Sequence, residues 1–406
     1  MQPEKKTGFV PKLRFPEFLG TAEWKFVSLN KLAKRRTQKN RSGAITRVLT
    51  NSAEYGVVDQ RDYFDKDIAT QGNLESYYVV EKGDYVYNPR ISASAPVGPI
   101  SKNNVATGVM SPLYSVFQFG ESNNDYYSYY FKTTGWHQYI RQASSTGARH
   151  DRMAITNNDF MAMPLPVSTP DEQQKIAKFL VSLDELLGLQ EQKLDALKLH
   201  KKGLMQQLFP TEDDTVPTLR FPEFQDSDGW ELTLLGEVCH MQAGKFVAAA
   251  DISEKNGSDL YPCYGGNGLR GHTKSYTHSG RYSLIGRQGA LCGNVNLVDG
   301  NFHATEHAVV ATPKTGIYTE WLFYMLVLLN LNRFATGQAQ PGLSVDVLNK
   351  VACAVPRDQL EQIKIASCLT LLDERITLEA RNLDALKAHK KGLLQQLFPA
   401  PAEVQE

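Results

Sequence analysis

Two stretches of the chain, 171–208 and 358–398, carry apolar residues at alternating spacings of four and three. The first runs Ile176, Leu180, Leu183, Leu187, Gln190, Leu194, Leu197, Lys201, Leu204, Leu208. The second runs Ile365, Leu369, Leu372, Ile376, Glu379, Leu383, Leu386, Lys390, Leu393, Leu397. A stripe repeating every 3.5 residues or so along a helix predicts coiled-coil pairing. Gln190 and Glu379 interrupt the stripe at one shared position, Lys201 and Lys390 at another, and polar groups in a seam fix register at a cost in stability. Each helix, roughly 38 residues long, would span about 57 Å. If the two pair antiparallel, the segments between them stand at opposite ends of a rod, as two readers on a ruler.

Those intervening segments have a different texture. Residues 25–166 and 230–356 alternate short apolar runs, such as Tyr77-Tyr78-Val79-Val80 and Asp84-Tyr85-Val86-Tyr87, with turn residues, which predicts strands. The runs Tyr126-Tyr127-Ser128-Tyr129-Tyr130-Phe131 and Trp321-Leu322-Phe323-Tyr324-Met325-Leu326 read as core helices rather than base-stacking platforms. Phe209 to Pro217, with Pro near each end and an acidic middle, reads as a linker.

The frame around these segments is written twice. Val10 to Phe18 returns as Val216 to Phe224 with one change, Lys12 to Thr218. Leu194 to Pro210 returns as Leu383 to Pro399, differing only at Ala388 and Leu394. The offsets, 206 and 189, show like ends bracketing unlike middles. Solenoid repeats recur at about 20–50 residues, so two copies at this period mean two large half-molecules.

Composition narrows the class. No run of eighteen apolar residues offers a membrane span, and Met1 to Lys6 lacks the apolar core of a signal peptide, pointing to the cytoplasm. The five cysteines lack CxxC spacing and read as reduced thiols packed as small apolar residues. Net charge is zero, so contact with a polyanion must come from local patches or be shared with a basic partner. Residues 25–160 hold 17 Lys/Arg against 12 Asp/Glu, whereas 231–357 hold 10 against 9.

Catalytic motifs fail one by one. Gly266-Asn267-Gly268-Leu269-Arg270-Gly271 fits GxGxxG, but His272 to Gly280 is no helix, so a dinucleotide site is excluded. Asn88-Pro89-Arg90 lacks the second Pro and the aromatic residue of an amino-methyltransferase signature. His303 and His307 invite a metal reading, but Thr305 to Ala311 reads as a strand that would set them about 13 Å apart. No metal is expected.

The basic features are more promising. Lys31, Lys34, Arg35, Arg36, Lys39 and Arg41 form a dense run suited to phosphate contact. Arg90 and Arg287 follow strand-like runs at comparable places. Arg149 and Arg152 lie in one late loop, and Gln338 and Gln340 in its counterpart. Arg suits guanine and Gln suits adenine in the major groove, as two different half-site readers would require. Arg270 and Lys274 complete the candidate contacts.

LRFPEF followed by Trp24 or Trp230, the helix endings LDALKxHKKGLxQQLFP, and YPCYGGNGLRG, IGRQGALCG and ATEHAVV together resemble the specificity subunit of type I restriction–modification enzymes. The resemblance implies an α+β, pseudo-two-fold chain with two mixed α/β target-recognition domains and two long helices forming an antiparallel coiled coil. Its parts would be 1–170 with the first domain, helix 171–208, linker 209–217, second domain 218–357, helix 358–399 and tail 400–406. Each domain would read one half of a bipartite, asymmetric site on double-stranded DNA. The helices would dock two methyltransferase (modification) subunits, joined by restriction/translocase subunits. S-adenosylmethionine, ATP and Mg would sit on those partners, leaving this chain without a cofactor or catalytic centre. Thr50 to Gly56 stands where the second half has YGGNG, so the two domains would read different sequences. A specificity module of a type II-like modification system is the alternative.

Overall fold

The structure, a computed structural model, describes residues 9–63, 71–121, 124–145, 151–212, 214–289, 291–337 and 341–399. The chain divides into two compact units, one of residues 1–189 with 383–406 and one of residues 190–382.

The first unit opens with β1 (Lys25–Ser28), α1 (Leu29–Leu32) and β2 (Ala33–Arg36), followed by the hairpin β3 (Leu49–Ser52) and β4 (Gly56–Asp59) and a turn of helix, α2 (Gln60–Tyr63). Then come β5 (Tyr78–Val80), β6 (Tyr85–Tyr87), β7 (Ile100–Lys102), β8 (Gly108–Met110) and β9 (Ser115–Phe119). Helices α3 (Asp125–Tyr130), α4 (His137–Ala143) and α5 (Asn157–Met161) lead into β10 (Pro164–Val167) and the long α6 (Pro170–Leu208). One antiparallel sheet has the order β2-β9-β6-β7. The ladders β3–β4 and β5–β8 are joined by a parallel bridge from Val48 to Val109. β1 and β10 close the body as a ribbon that pairs Lys25 with Val167.

The second unit repeats this plan strand for strand. It runs β11 (Glu231–Leu234), α7 (Leu235–Val238), β12 (Cys239–Ala243), the hairpin β13 (Tyr261–Gly265) and β14 (Gly268–Thr273), β15 (His278–Ser279), β16 (Tyr282–Gly286), β17 (Val295–Val298), β18 (Asn301–Ala304) and β19 (Ala308–Pro313). Helices α8 (Thr319–Leu328) and α9 (Val345–Asn349), strand β20 (Ala352–Val355) and the long α10 (Gln359–Leu397) complete it. Its sheet order β12-β19-β16-β17 is that of the first unit, and β14-β13-β18-β15 contains the same parallel contact between β13 and β18. Glu231 pairs with Val355 at the closing ribbon.

Both long helices begin under caps. Thr169 Oγ1 accepts from Glu172 N at 3.4 Å, and Asp358 Oδ1 accepts from Leu360 N at 2.8 Å. Both end a residue before a Phe-Pro step, where proline cannot continue the ladder. The first unit's core sets Tyr85, Tyr87, Phe117 and Phe160 against α3, and closes on Ile176 and Leu180 of α6 together with Leu397 of α10. In the second unit Trp230, Trp321 and Ile285 close on Ile365 and Leu369 of α10 together with Leu208 of α6. Each core therefore takes the start of one long helix and the end of the other.

Within the second unit Gln190 meets Glu379 and Lys201 meets Asp373 (2.6 Å), so the helix segments run antiparallel. All seam positions are buried or half-buried, but between Val181 and Lys193 no side chain of α6 is fully buried. The polar seam residues have partners: Gln190 donates to Glu379, which Lys193 and Arg375 also reach at 2.6 and 2.8 Å. Hydrogen bonds from Lys193 and Gln190 hold the Glu379 carboxylate down at about 2.

One expectation is corrected. Thr305 to Ala311 is not a single strand: β18 ends at Ala304, Thr305 to His307 turn with Ala308 N donating to Thr305 O at 2.9 Å, and β19 follows. His303 and His307 thus lie on either side of a turn. The five cysteines are free thiols, and burial pushes Cys239 and Cys353 up to about 12.

Candidate nucleic-acid interface

In each unit backbone hydrogen bonds lace the segment after one strand of the main sheet, β6 or β16, to a returning loop. In the second unit Thr305 N donates to Tyr264 O (2.9 Å), Arg287 N to His307 O (2.8 Å), Leu343 N to Arg287 O (2.9 Å) and Gly289 N to Pro341 O (3.0 Å). These bonds bring the β13–β14 turn, the segment after β16 and residues 341–343 together. Glycine is required here: a Cβ at Gly286 would lie 2.0 Å from Gly266 O. The resulting groove offers the side chains of Asn267, Arg270, Gln288 and His307.

The first unit uses the same lacing with other residues. Met153 N donates to Pro89 O at 2.9 Å and Ile91 N to Asp151 O at 3.1 Å. Asn88 Nδ2 reaches Asn51 O at 2.9 Å, and Asn51 Nδ2 reaches Val86 O at 2.8 Å. A Cβ at Gly98, whose φ is +79°, would lie 2.0 Å from Asn88 O. The β3–β4 turn, Ser52 to Gly56, occupies the place of the Gly265–Gly268 turn and carries Glu54 and Tyr55, with the Tyr55 ring edge-on to Tyr63.

This register corrects the matching of Arg90 with Arg287. Bonds from 153 to 89 and from 91 to 151 correspond to bonds from 343 to 287 and from 289 to 341. The isolated bridges agree, Arg90 with Arg152 and Gln288 with Gly342. Arg90 is therefore the counterpart of Gln288, and Arg287 that of Pro89. Arg287 is half-buried, with its Nε donating to Leu343 O at 3.2 Å.

The basic run does not form one face, because most of it lies in and after β2, where neighbours alternate sides. Lys34 is exposed and lines a groove with Lys31, Lys82 and Lys102. Arg35 points to another groove, shared with Arg152 and walled by Tyr78, Tyr87 and Tyr114; its buried Nε has no partner among the described residues. Arg36 is occupied, 2.7 Å from Glu81 and 3.2 Å from Gln118 Oε1. Lys39 and Arg41 are exposed, as are Arg90, Arg270 and Lys274. Arg152 forks onto Asp151 at 3.1 and 2.9 Å, which holds that carboxylate below its usual range. Arg149, Gln338 and Gln340 lie outside the described residues.

Sequence reasoning passed over Asn267, Gln288 and His307 in this groove. It also passed over Glu172 and Glu361, each of which holds an Arg of the repeated RFPEF motif and an indole N–H. The motif offsets signalled this second set, since Arg14/Glu172/Trp24 and Arg220/Glu361/Trp230 each repeat by the frame's own two offsets.

Residues 227–388 match the type I restriction modification DNA specificity domain family. A stretch of 140 residues, 34% of this chain, is 49% identical to the type I restriction enzyme EcoprrI specificity subunit of Escherichia coli and spans about a third (35%) of that protein. The MjaVIII specificity subunit of Methanocaldococcus jannaschii is 23% identical over 295 residues, 65% of this chain and 67% of that one. The fold is that of the type I restriction–modification S subunit from M. genitalium, with a TM-score of 0.60 at 16% identity over 96% of this chain and 99% of that one. A chain from a structure concerned with complex assembly and conformational transition of the type I R-M system gives 0.58 at 15% identity, covering 92% and 97%. The family match covers 227–388, and the likeness of the whole chain is one of fold. Over the matched segment the chain is similar to the specificity subunits of type I restriction–modification systems, and as a whole it shares their fold.

Proposed function

We propose that each unit reads one half of a bipartite, asymmetric site on double-stranded DNA, and that the chain presents that site to other subunits. The observation behind this reading is one backbone lacing used twice with unlike side chains at its tip. One lacing sets Arg90 opposite Arg152, in a unit whose β3–β4 turn carries Glu54 and Tyr55; the other carries Gln288, which lines a groove with Arg270 and Asn267. Two methyltransferase subunits would dock on the chain, with restriction/translocase subunits added. S-adenosylmethionine, ATP and Mg would belong to those partners, and this chain would supply recognition alone, in the cytoplasm.

The test is to co-express the chain with its modification subunits in a host lacking other adenine methylation and to map methylated adenines. A bipartite motif that disappears without this chain is expected. Methylation independent of the chain, or methyl transfer by the pure chain alone, contradicts the reading.

A further inference from the structure

The two lacings, matched residue by residue, place two different exposed base-reading side chains, Arg90 and Gln288, at one shared position. We infer that Arg90 and Gln288 are matched specificity residues, Arg90 reading a guanine in one half-site and Gln288 an adenine in the other. The inference rests on the proposed DNA reading.

Three observations support it. The first is equivalence: both residues form the bridge to the returning loop, flanked by hydrogen bonds one residue to either side. Their Cα positions are therefore held without their own side chains, Arg90 N also donating to Asn88 Oδ1 at 3.1 Å, and exchanging the side chains leaves the frame unaltered. The second is availability. Both are exposed, and neither side chain has a hydrogen bond or ion pair among the described residues. Arg14, Arg36, Arg152 and Arg220, by contrast, are tied to carboxylates. Asp151 lies near Arg90, but its oxygens are taken by the fork from Arg152.

The third is chemistry. A guanidinium donates two parallel N–H groups and matches the O6 and N7 acceptors of guanine, whereas a carboxamide offers one donor and one acceptor and matches N7 and N6 of adenine. In the second unit Gly266 lies so close to the carbonyls of His307 and Gln288 that a Cβ on it would stand 3.1 and 3.2 Å from their oxygens. The wall beside Gln288 is therefore free of side chains there, so a base edge can come near.

The experiment uses the whole methyltransferase complex and randomised bipartite duplexes, selected by binding and sequenced. Four complexes are compared: wild type, Arg90→Gln, Gln288→Arg and Gln288→Ala. With Gln288→Arg, one position of one half-site should change from adenine to guanine, by roughly 5- to 100-fold in preference. Arg90→Gln should make the reverse change in the other half-site, and the spacer should stay constant. Gln288→Ala should relax the adenine position without altering the salt dependence of binding. A uniform loss of affinity, a flattened salt slope with unchanged preference, or no change at all overturns the inference. If the wild-type complex selects no bipartite site, the proposed function itself fails, which separates the two failures.

Discussion

Arg220 and Glu361 hold each other in a two-pronged ion pair, Nε to Oε1 at 2.7 Å and Nη2 to Oε2 at 2.8 Å. Trp230 Nε1 adds a third donor to the same carboxylate at 3.2 Å. Arg14, Glu172 and Trp24 build the same cluster in the first unit, at 2.6, 2.8 and 3.0 Å. The repeated RFPEF segment is thus a clamp on the start of each long helix, and both carboxylates are fully buried.

Removing one partner of such a pair leaves a buried charge without compensation. Glu361→Ala should cost about 3–5 kcal/mol and Glu361→Gln less, since the amide oxygen still accepts from Arg220 or Trp230. Hydrogen exchange should show the loss concentrated in the second unit, with Glu172→Ala acting on the first. Equal loss in both units from either variant would contradict the clamp.

Lys201 and Asp373, 2.6 Å apart, belong to a second repeated cluster in which Tyr324 OH also donates to Asp373 at 2.8 Å. Its twin joins Lys390, Asp184 and Tyr129. A double-mutant cycle on Lys201→Ala and Asp373→Ala should give a coupling of about 1 kcal/mol, and the cycle of Lys201→Ala with Asp184→Ala should be additive within about 0.5 kcal/mol. Coupling in both cycles would mean that these lysines act through general charge.

The depressed Glu379 carboxylate makes stability depend on pH in a defined direction. Its folded value, about 2, lies below the unfolded value of about 4.3, so its contribution is complete above the latter and is lost as pH falls through the former. Glu379→Gln should be less stable than wild type near neutrality, with the gap closing between pH 5 and 2 in urea titrations. A gap independent of pH over that range would place the carboxylate's role elsewhere.

Lys34 and Arg36, two residues apart in β2, should behave oppositely. Lys34→Ala should weaken DNA binding by the assembled complex at every sequence and reduce the salt slope by up to about 0.9. Arg36→Ala strips partners from Glu81 and Gln118 and should lower stability while leaving the slope nearly unchanged. If Arg36→Ala flattens the slope as much as Lys34→Ala, the division of the basic run is wrong.

The helices were legible because a seam from Ile176 to Leu208 obeys one period, and because the frame is written twice. The strands showed as texture, but their pairing did not: the parallel contact of Cys263 with His303 joins residues 40 positions apart with no local signal. Arg90 was matched with Arg287 because both follow apolar runs of similar look. Only hydrogen-bond register, set by the returning loops at Asp151 and Pro341, moves the match to Gln288. The turn at Thr305 was hidden because Ala-Val-Val after it is strand-like and the threonine before it suits a strand equally well. The clamp glutamates escaped notice because each sits in an ordinary acidic first turn of a helix.

The central claim is that two interchangeable bodies on one frame each read their own half-site. Both bodies begin and end on a paired ribbon, Lys25 with Val167 and Glu231 with Val355, which defines where one can replace the other. The direct measurement is adenine-methylation mapping in cells whose chain carries residues 25–167 in place of 231–355, assembled with its modification subunits. A motif that contains the first unit's half-site twice, in symmetric arrangement, is the expected result. An assembled, active complex that still methylates the original asymmetric motif would contradict the claim.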